Sequence, residues 1–455
     1  MDFRNSVEFA MDYRYRILRP VLAALATLAL AAAAWADEDI FRNALKYTVQ
    51  IKTTVPVPFN GDRKGSGFGA GFLVDAARGW VMTNAHVVSR SPSRIEVAFH
   101  GQEYSEASKI YVDPYLDVAL IKVNDQVDTK TISQPPLDCG ELPSVGHPVG
   151  AFGHPWRLQF TGTRGIISGV TAKYRTELLQ TDAPINAGNS GGPLISLDSG
   201  KIVGINTASI LGAQNTNFAV AMKYACRILQ LLQDGADPSP PDLGLVYFQD
   251  IDNRRVLKVA RAYAASGTLQ LQPGDIVKEV TGISSRIENE TQLLHALRGR
   301  FDASEIKVLR NGREFVLNGG KTPMPHVLSR RGVYASGLLF GPITFRDTDE
   351  IRVRGFMVHH VEPGSLGESQ EVGKSDLLEA VDGKKVEDLD QLYKYLSDAQ
   401  KKGGRVELTF KKISGGDAVF SYTQRNLAIR DLRIVGPANS DAARRLGAAP
   451  GSLNN

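Results

Sequence analysis

From Phe41 to about Gln233 the chain is a succession of short apolar runs broken by turn residues. Ala70–Val74, Gly79–Thr83, Ile95–Phe99, Val118–Val123 and Lys201–Asn206 are examples, separated by Gly, Asn and Pro. Runs this short cannot bury themselves singly and must pair with one another. Many of them with frequent turns predict a barrel or a sandwich. A helical pattern over Lys223–Leu232 closes the region. Asp234–Asp242 follows, and its Pro and Gly content predicts a linker.

Beyond the linker the chain repeats itself. Asp275–Gly282 matches Asp376–Gly383, each a short apolar strand ending in a Gly turn. Amphipathic helical patterns follow each copy, around Thr291–Leu297 and Leu389–Leu396. A spacing this long indicates duplicated domains and not a solenoid of short repeats. With 455 residues in all, three domains are expected. The tail from Pro437, rich in Ala, Gly, Ser and Asn, reads as disordered.

The net charge of +4 is small for this length, and no dense Lys/Arg cluster stands out, so no nucleic-acid partner is expected. Cys139 and Cys226 lack the short spacing of a zinc site. They read as two buried thiols or, in an exported protein, as a disulfide. Export has its own signal. Arg14, Arg16 and Arg19 precede an apolar run over Val21–Trp35, which ends in Ala34-Trp35-Ala36 before acidic Asp37. The run is short for a bilayer span, and its order is that of a cleavable signal peptide with a mature start at Asp37; an uncleaved anchor is the competing reading. Met1 and Met11 both remain open as the start. His359 and His360 are adjacent, so on a strand they would face opposite sides and not share a metal. His147 and His154 read as surface or packing residues.

Gly188-Asn-Ser-Gly-Gly-Pro-Leu194 carries the most chemical information. A hydrolytic serine needs an exposed hydroxyl and backbone N–H donors aimed at a developing oxyanion, and flanking glycines permit so tight a loop. An isolated motif of this kind would be an ordinary Gly-rich turn. Two further segments precede it: Thr83-Asn-Ala-His-Val-Val88 and Asp113-Pro-Tyr-Leu-Asp-Val-Ala-Leu-Ile-Lys-Val123. Each sets a polar residue beside an apolar strand. A histidine as base and an aspartate to hold its tautomer complete a nucleophilic triad.

In these segments, and in Ala70–Asp75, Gln180–Asn186 and Gly204–Ala208, the chain resembles the HtrA/Deg family of trypsin-like serine proteases over about residues 40–230. The resemblance implies a mainly β protein: a chymotrypsin-like double β-barrel followed by two α+β PDZ-like domains. The implied divisions are a signal peptide over 1–36, a protease domain over 37–236, PDZ-like domains over 243–322 and 332–435, and a disordered tail over 436–455. By the same match His86 is the base, Asp117 its orienting partner and Ser190 the nucleophile. Gly188 and Ser190 supply the oxyanion-hole N–H groups, with Asn189 shaping the loop.

Further expectations follow from the match. Pro184, Ile185, Asn206, Thr207, Ala208 and Phe218 would line the S1 pocket. No carboxylate stands at Pro184, which predicts cleavage after aliphatic residues. Asn189 stands where trypsin relatives carry an aspartate, so no zymogen-type ammonium pairing is expected, and loop ordering over Thr171–Leu179 would set activity. Leu243, Gly244, Leu245 and Val246, and again Gly337, Leu338, Leu339 and Phe340, are the candidate loops for binding peptide C-termini. The expected protein is a periplasmic endopeptidase acting on unfolded or damaged proteins, without metal or cofactor. It is expected to be a homotrimer or a multiple of one, with Phe41 and Tyr47 at the interface or on the barrel itself. The alternative is a chaperone or scaffold of the same fold that mainly holds client proteins.

Overall fold

The computed structural model describes residues 38–125, 132–154, 160–172, 176–209, 215–248, 256–262, 269–283, 286–301, 304–319, 322–343, 355–414 and 419–437. The expected signal peptide and the tail beyond Pro437 lie outside these residues.

Six strands form the first closed barrel: β1 (Thr48–Val55), β2 (Gly65–Asp75), β3 (Trp80–Thr83), β4 (Arg94–Phe99), β5 (Ser105–Asp113) and β6 (Val118–Val123), in the order β1-β2-β3-β6-β5-β4. β1 keeps the period of two expected of a strand with one covered face, burying Val49, Ile51, Thr53 and Val55. The second closed barrel is built from β7 (Pro148–Gly153), β8 (Thr161–Thr171), β9 (Leu178–Thr181), β10 (Pro193–Ser196), β11 (Ile202–Ser209) and β12 (Asn217–Ala221), in the order β10-β11-β12-β9-β8-β7. The two interiors merge. Phe72 and Leu120 of the first barrel belong to the same apolar cluster as Phe152 and Ile195 of the second. A close-packed apolar seam of this kind holds the loops at its mouth in fixed register.

Helix α1 (Ala85–Val88) is a single turn after β3, and α2 (Met222–Gln233) follows β12. Cys139, in the connection between barrels, forms a disulfide with Cys226 of α2. Of the two sequence readings of the cysteines, the structure has the disulfide. Tyr47 is buried in the barrel core, and the Phe41 ring meets Phe152 edge-on at 4.7 Å. Both aromatics pack on the chain's own barrel, the second of the two readings made from the sequence.

Two α+β units follow. The first has β14 (Leu245–Tyr247), β15 (Leu257–Ala262), β16 (Ile276–Val280), β17 (Ser304–Arg310) and β18 (Arg313–Gly319) in sequential order, with α3 (Glu290–Leu297). Short strands β13 (Pro241–Asp242) and β19 (Thr322–Pro323) pair where the chain enters and leaves it. The second has β20 (Gly332–Ala335), β21 (Leu338–Pro342), β22 (Phe356–Val361), β23 (Leu377–Val381), β24 (Lys384–Lys385), β25 (Arg405–Ser414), β26 (Val419–Ala428) and β27 (Arg433–Val435). Its order is β26-β25-β23-β22-β21-β20-β27, with β24 beside β23. It also holds α4 (Leu366–Ser369) and α5 (Leu389–Lys401).

The duplication extends to the helix caps. Asn289 caps Gln292 N, and Gln292 Oε1 accepts from Glu288 N at 2.8 Å. Asp388 caps Gln391 N, and Gln391 Oε1 accepts from Glu387 N at 2.8 Å. Each reciprocal pair satisfies N–H groups that a helix start would otherwise leave open. The fold is thus mainly β: a chymotrypsin-like double barrel followed by two PDZ-like units.

The linker expectation needs correction. Pro238, Ser239, Pro240 and Pro241 are buried. Pro238 O accepts from Arg298 Nη1 at 2.6 Å, and Ser239 N donates to Asp237 Oδ1 at 2.8 Å. Composition marks a segment unable to form helix or central strand, but it does not say whether that segment is packed.

Candidate active site

The site is assembled at the seam from three loops. β3 is buried from Val81 onward, and its last side chain, Thr83, donates Oγ1 to Ala70 O at 2.7 Å. Asn84 follows in extended conformation and sends Nδ2 to Asp117 O at 2.9 Å. The single turn of α1 then presents His86 with its side chain 49% exposed.

Asp117 reaches His86 twice. Oδ1 accepts from His86 N at 2.9 Å, and Oδ2 meets Nδ1 at 2.8 Å. Thr207 Oγ1 adds a third bond, to Oδ2 at 2.6 Å. A carboxylate only accepts, so Nδ1 carries a hydrogen and Nε2 is the acceptor of the neutral ring. Burial pulls the His86 pKa down. The Asp117 carboxylate raises it by charge and by hydrogen bond, Asp62 raises it further and Arg90 lowers it; the balance lies above the ordinary histidine value. Asp117 itself sits at φ 57, in the left-handed region that non-glycine residues seldom occupy. The turn before it is held by Asp113, whose Oδ1 accepts from Tyr115 N at 2.8 Å and Leu116 N at 2.9 Å.

Ser190 lies in the connection between β9 and β10. Its carbonyl accepts from Ala70 N of β2 at 2.8 Å, which fastens the loop of the second barrel to the first. Gly191 explains the motif's glycines. It has φ 86, and a Cβ there would lie 2.1 Å from Thr83 Oγ1 and 2.2 Å from Ala70 O. Gly188 has φ 106, and its carbonyl accepts from His154 N at 3.1 Å. Among the described residues, no hydrogen bond occupies Gly188 N or Ser190 N. The Ser190 hydroxyl donates to Thr207 O at 3.0 Å rather than to the imidazole. Asn189 is buried, and among the described residues neither oxygen nor nitrogen of its side-chain amide has a hydrogen-bond partner.

The structure therefore brings His86, Asp117 and Ser190 to one seam, with Gly188 and Asn189 beside them. The expected S1 residues separate by role. Ile185 and Phe218 are buried, while Pro184 is exposed and its carbonyl accepts from Thr163 Oγ1 at 2.8 Å. Asn206 directs Nδ2 to Phe152 O and Pro193 O at 3.2 and 3.1 Å, so it ties β11 to its neighbours. Thr207 serves Asp117. Ala208 pairs with Phe218 across β11 and β12. Sequence reasoning missed Asn84 and the bond from Thr207 to Asp117. Asn84 stood inside the quoted histidine segment, but its partner is set by a crossing of loops.

Part of the loop expected to order the site, Thr171–Leu179, falls outside the described residues. Of the rest, Glu177 N donates to Thr291 Oγ1 of α3 at 2.9 Å, and Glu177 Oε1 accepts from Asn289 and Gln292 at 2.8 and 3.0 Å. Of the two candidate peptide loops, Leu245 and Val246 lie on β14, an outer strand, after Leu243 and Gly244, whose N donates to Asp242 Oδ1 at 3.0 Å. The other call is corrected. Gly337 is in a tight turn, and Leu338, Leu339 and Phe340 are fully buried on β21, whose two edges are both paired, so no strand edge is free there.

Residues 69–205 match the family described as trypsin-like peptidase domain. The chain is 31% identical over 382 residues to a probable periplasmic serine endoprotease, DegP-like, of Chlamydia pneumoniae, covering 77% of this chain and 74% of that protein. It is 35% identical over 179 residues to the serine endoprotease DegS of Escherichia coli, covering 37% of this chain and 49% of that protein. Among solved structures it is similar to the HtrA-type protease AlgW with tripeptide, at 24% identity and a TM-score of 0.50, over 64% of this chain and 98% of that one. That likeness is one of fold.

Proposed function

The chain belongs to the HtrA/Deg family of serine endoproteases, and on that premise we propose that it cuts unfolded or damaged proteins through an acyl-enzyme formed on Ser190. The observation that carries this reading is the pair of hydrogen bonds from His86 N and Nδ1 to Asp117, beside a serine whose neighbouring N–H groups are open among the described residues. The reaction requires the Ser190 hydroxyl to turn from Thr207 O toward His86 Nε2. His86 removes the proton as Ser190 Oγ adds to the scissile carbonyl. Gly188 N and Ser190 N receive the oxyanion. His86 then protonates the leaving amine, and water reverses the sequence on the acyl-enzyme. Asp117 and Thr207 keep the imidazole oriented throughout.

The expected S1 residues Ile185 and Phe218 are apolar, which favours an aliphatic residue before the cut bond. Compartment and assembly rest on the family: relatives are named periplasmic, and a cleaved leader with a trimeric assembly fits that setting. The parked Ser190 hydroxyl favours a second reading, in which the chain holds clients without cutting them. One paired measurement separates the two: hydrolysis of casein, and suppression of a client's aggregation. Wild type should degrade casein, while Ser190→Ala and His86→Ala should lose on the order of 10⁶ in turnover and remain folded. A wild type that never cleaves but suppresses aggregation as well as Ser190→Ala would establish the holding reading.

A further inference from the structure

The two C-terminal units share one sheet order, β14-β15-β16-β17-β18 in the first and β21-β22-β23-β25-β26 in the second. They differ at one end. β14 is an outer strand, whereas β21 carries two more strands, β20 and then β27. β20 runs antiparallel to β21 through the two-residue turn Ser336–Gly337, at φ 53 and 91. It packs between β21 and α5, with Val333 and Ala335 in one cluster with Leu392 and Leu396 of α5. An antiparallel strand between the sheet edge and the helix is the position of a peptide bound by strand addition. Here the chain's own residues fill it. Where a peptide carboxylate would end, the backbone continues into the turn. Ser336 N donates to Arg430 O at 2.7 Å, and Ser336 Oγ donates to Ala428 O at 2.7 Å. β27 then closes the outer edge of β20, pairing Gly332 with Val435 and Tyr334 with Arg433.

The opposite face of these added strands meets the protease barrels. Tyr334, Leu339 and Val435 close over Val57 and Phe59 of the connection between β1 and β2, and Phe59 is fully buried. The Arg330 guanidinium lies 4.3 Å from the Phe59 ring centroid, and the His359 ring meets it edge-on at 5.0 Å. His359 Nδ1 accepts from Asn60 N at 3.4 Å, as a neutral imidazole must; burial and Arg330 hold its pKa down to about 3. Lys64 pairs with Glu362 at the rim. The same connection reaches the histidine. Asp62 Oδ2 accepts from Ser89 Oγ at 2.7 Å and Ser91 Oγ at 2.6 Å, and Phe59 N donates to Ser91 Oγ at 2.8 Å. Ser89 is the C-cap of α1, the turn that carries His86.

We propose that the second C-terminal unit takes no peptide of its own, because β20 fills its slot, and works instead as an internal brace that positions His86 through Phe59, Asp62, Ser89 and Ser91. The brace rests on His86 being the base; the filled slot does not, so the two can fail separately.

Hydrogen exchange on the full chain tests the slot. Amides of 332–335 should exchange as slowly as those of β21 and β22, with or without a decapeptide ending in Leu-Val and a free carboxylate. Exchange of 332–335 within seconds, or a peptide-dependent change over 332–342, would overturn the filled slot. Turnover of a fluorogenic peptide tests the brace. Phe59→Ala and Tyr334→Ala should each lower kcat at least fivefold with KM within twofold, and should speed exchange over 85–91. The double variant should be no worse than either single one, and Phe59→Leu should recover at least half the activity. If Phe59→Ala does not fold, Tyr334→Ala and His359→Gln read the same coupling from the other side. A folded Tyr334→Ala with wild-type kcat and wild-type exchange over 85–91 would sink the brace.

Discussion

At the scale of single residues, the site turns on how Asp117 is used. Its carboxylate raises the His86 pKa, so the imidazole stays protonated to a higher pH than a free histidine and cannot act as a base there. The acid limb of kcat/KM should therefore have its midpoint above about 6.5, the ordinary histidine value, as a pH–rate profile on a peptide substrate would read. Asp62→Asn removes one of the raising charges and should move that limb down. The same shift links to stability. A raised folded-state pKa stabilises fully below the unfolded value and loses its effect as pH rises through the folded one. Thr207→Val removes a hydroxyl bonded to a charged acceptor, a loss of about 1.5–3 kcal/mol in such bonds. A fall in kcat/KM of tenfold or more is expected, together with a thermal midpoint lowered by several degrees. The triad residues were legible because each lies in a short segment whose own pattern marks it. Thr207 was read as a pocket wall because its bond to Asp117 spans two barrels, and no local pattern records that.

Among the elements, the joint between α3 and the first barrel stands out. Arg298 and Asp113 form an ion pair at 2.6 Å with both side chains fully buried. Arg298 also bonds the Tyr111 hydroxyl at 3.3 Å, and burial pushes that hydroxyl's pKa well up. Removing one partner of such a pair leaves a buried charge alone, at a cost of about 3–5 kcal/mol. Arg298→Ala should lower stability by that amount in urea unfolding. It should also lower activity, because Asp113 holds the turn that presents Asp117. The disulfide joins residues 87 apart in sequence. Cys226→Ser should cost roughly 2–4 kcal/mol, seen as a lower urea midpoint. The strands and helices were legible from period and turns, since those signals are local. The linker was not, because Pro-rich chain packs or swings free according to what meets it.

For the whole molecule, duplication was readable from Asp275–Gly282 and Asp376–Gly383, which lie on the same strand of each unit. The difference between the copies was hidden, because it comes from β20 and β27, two short strands outside the repeated segment. The candidate loop at Gly337–Phe340 departs from the usual Gly-Φ-Gly-Φ form, and a local pattern cannot say whether an edge is already paired. The two units also pack on the barrels. Arg298, from beyond the linker, is buried against Asp113 and Tyr111 of the first barrel and Pro238 of the linker, and Phe59 is buried against Tyr334 and Leu339 of the second unit.

β27 is the last strand of the described chain, and it seals β20. A ribosome delivers it after every residue of the barrels. Competence would then be a late event in the life of each molecule, and a half-made copy would carry its serine idle among other nascent chains. Refolding from urea offers a clock for this order. The far-ultraviolet β signal should return first and peptide hydrolysis after a measurable lag, and Tyr334→Ala should leave the first phase unchanged while removing most of the second.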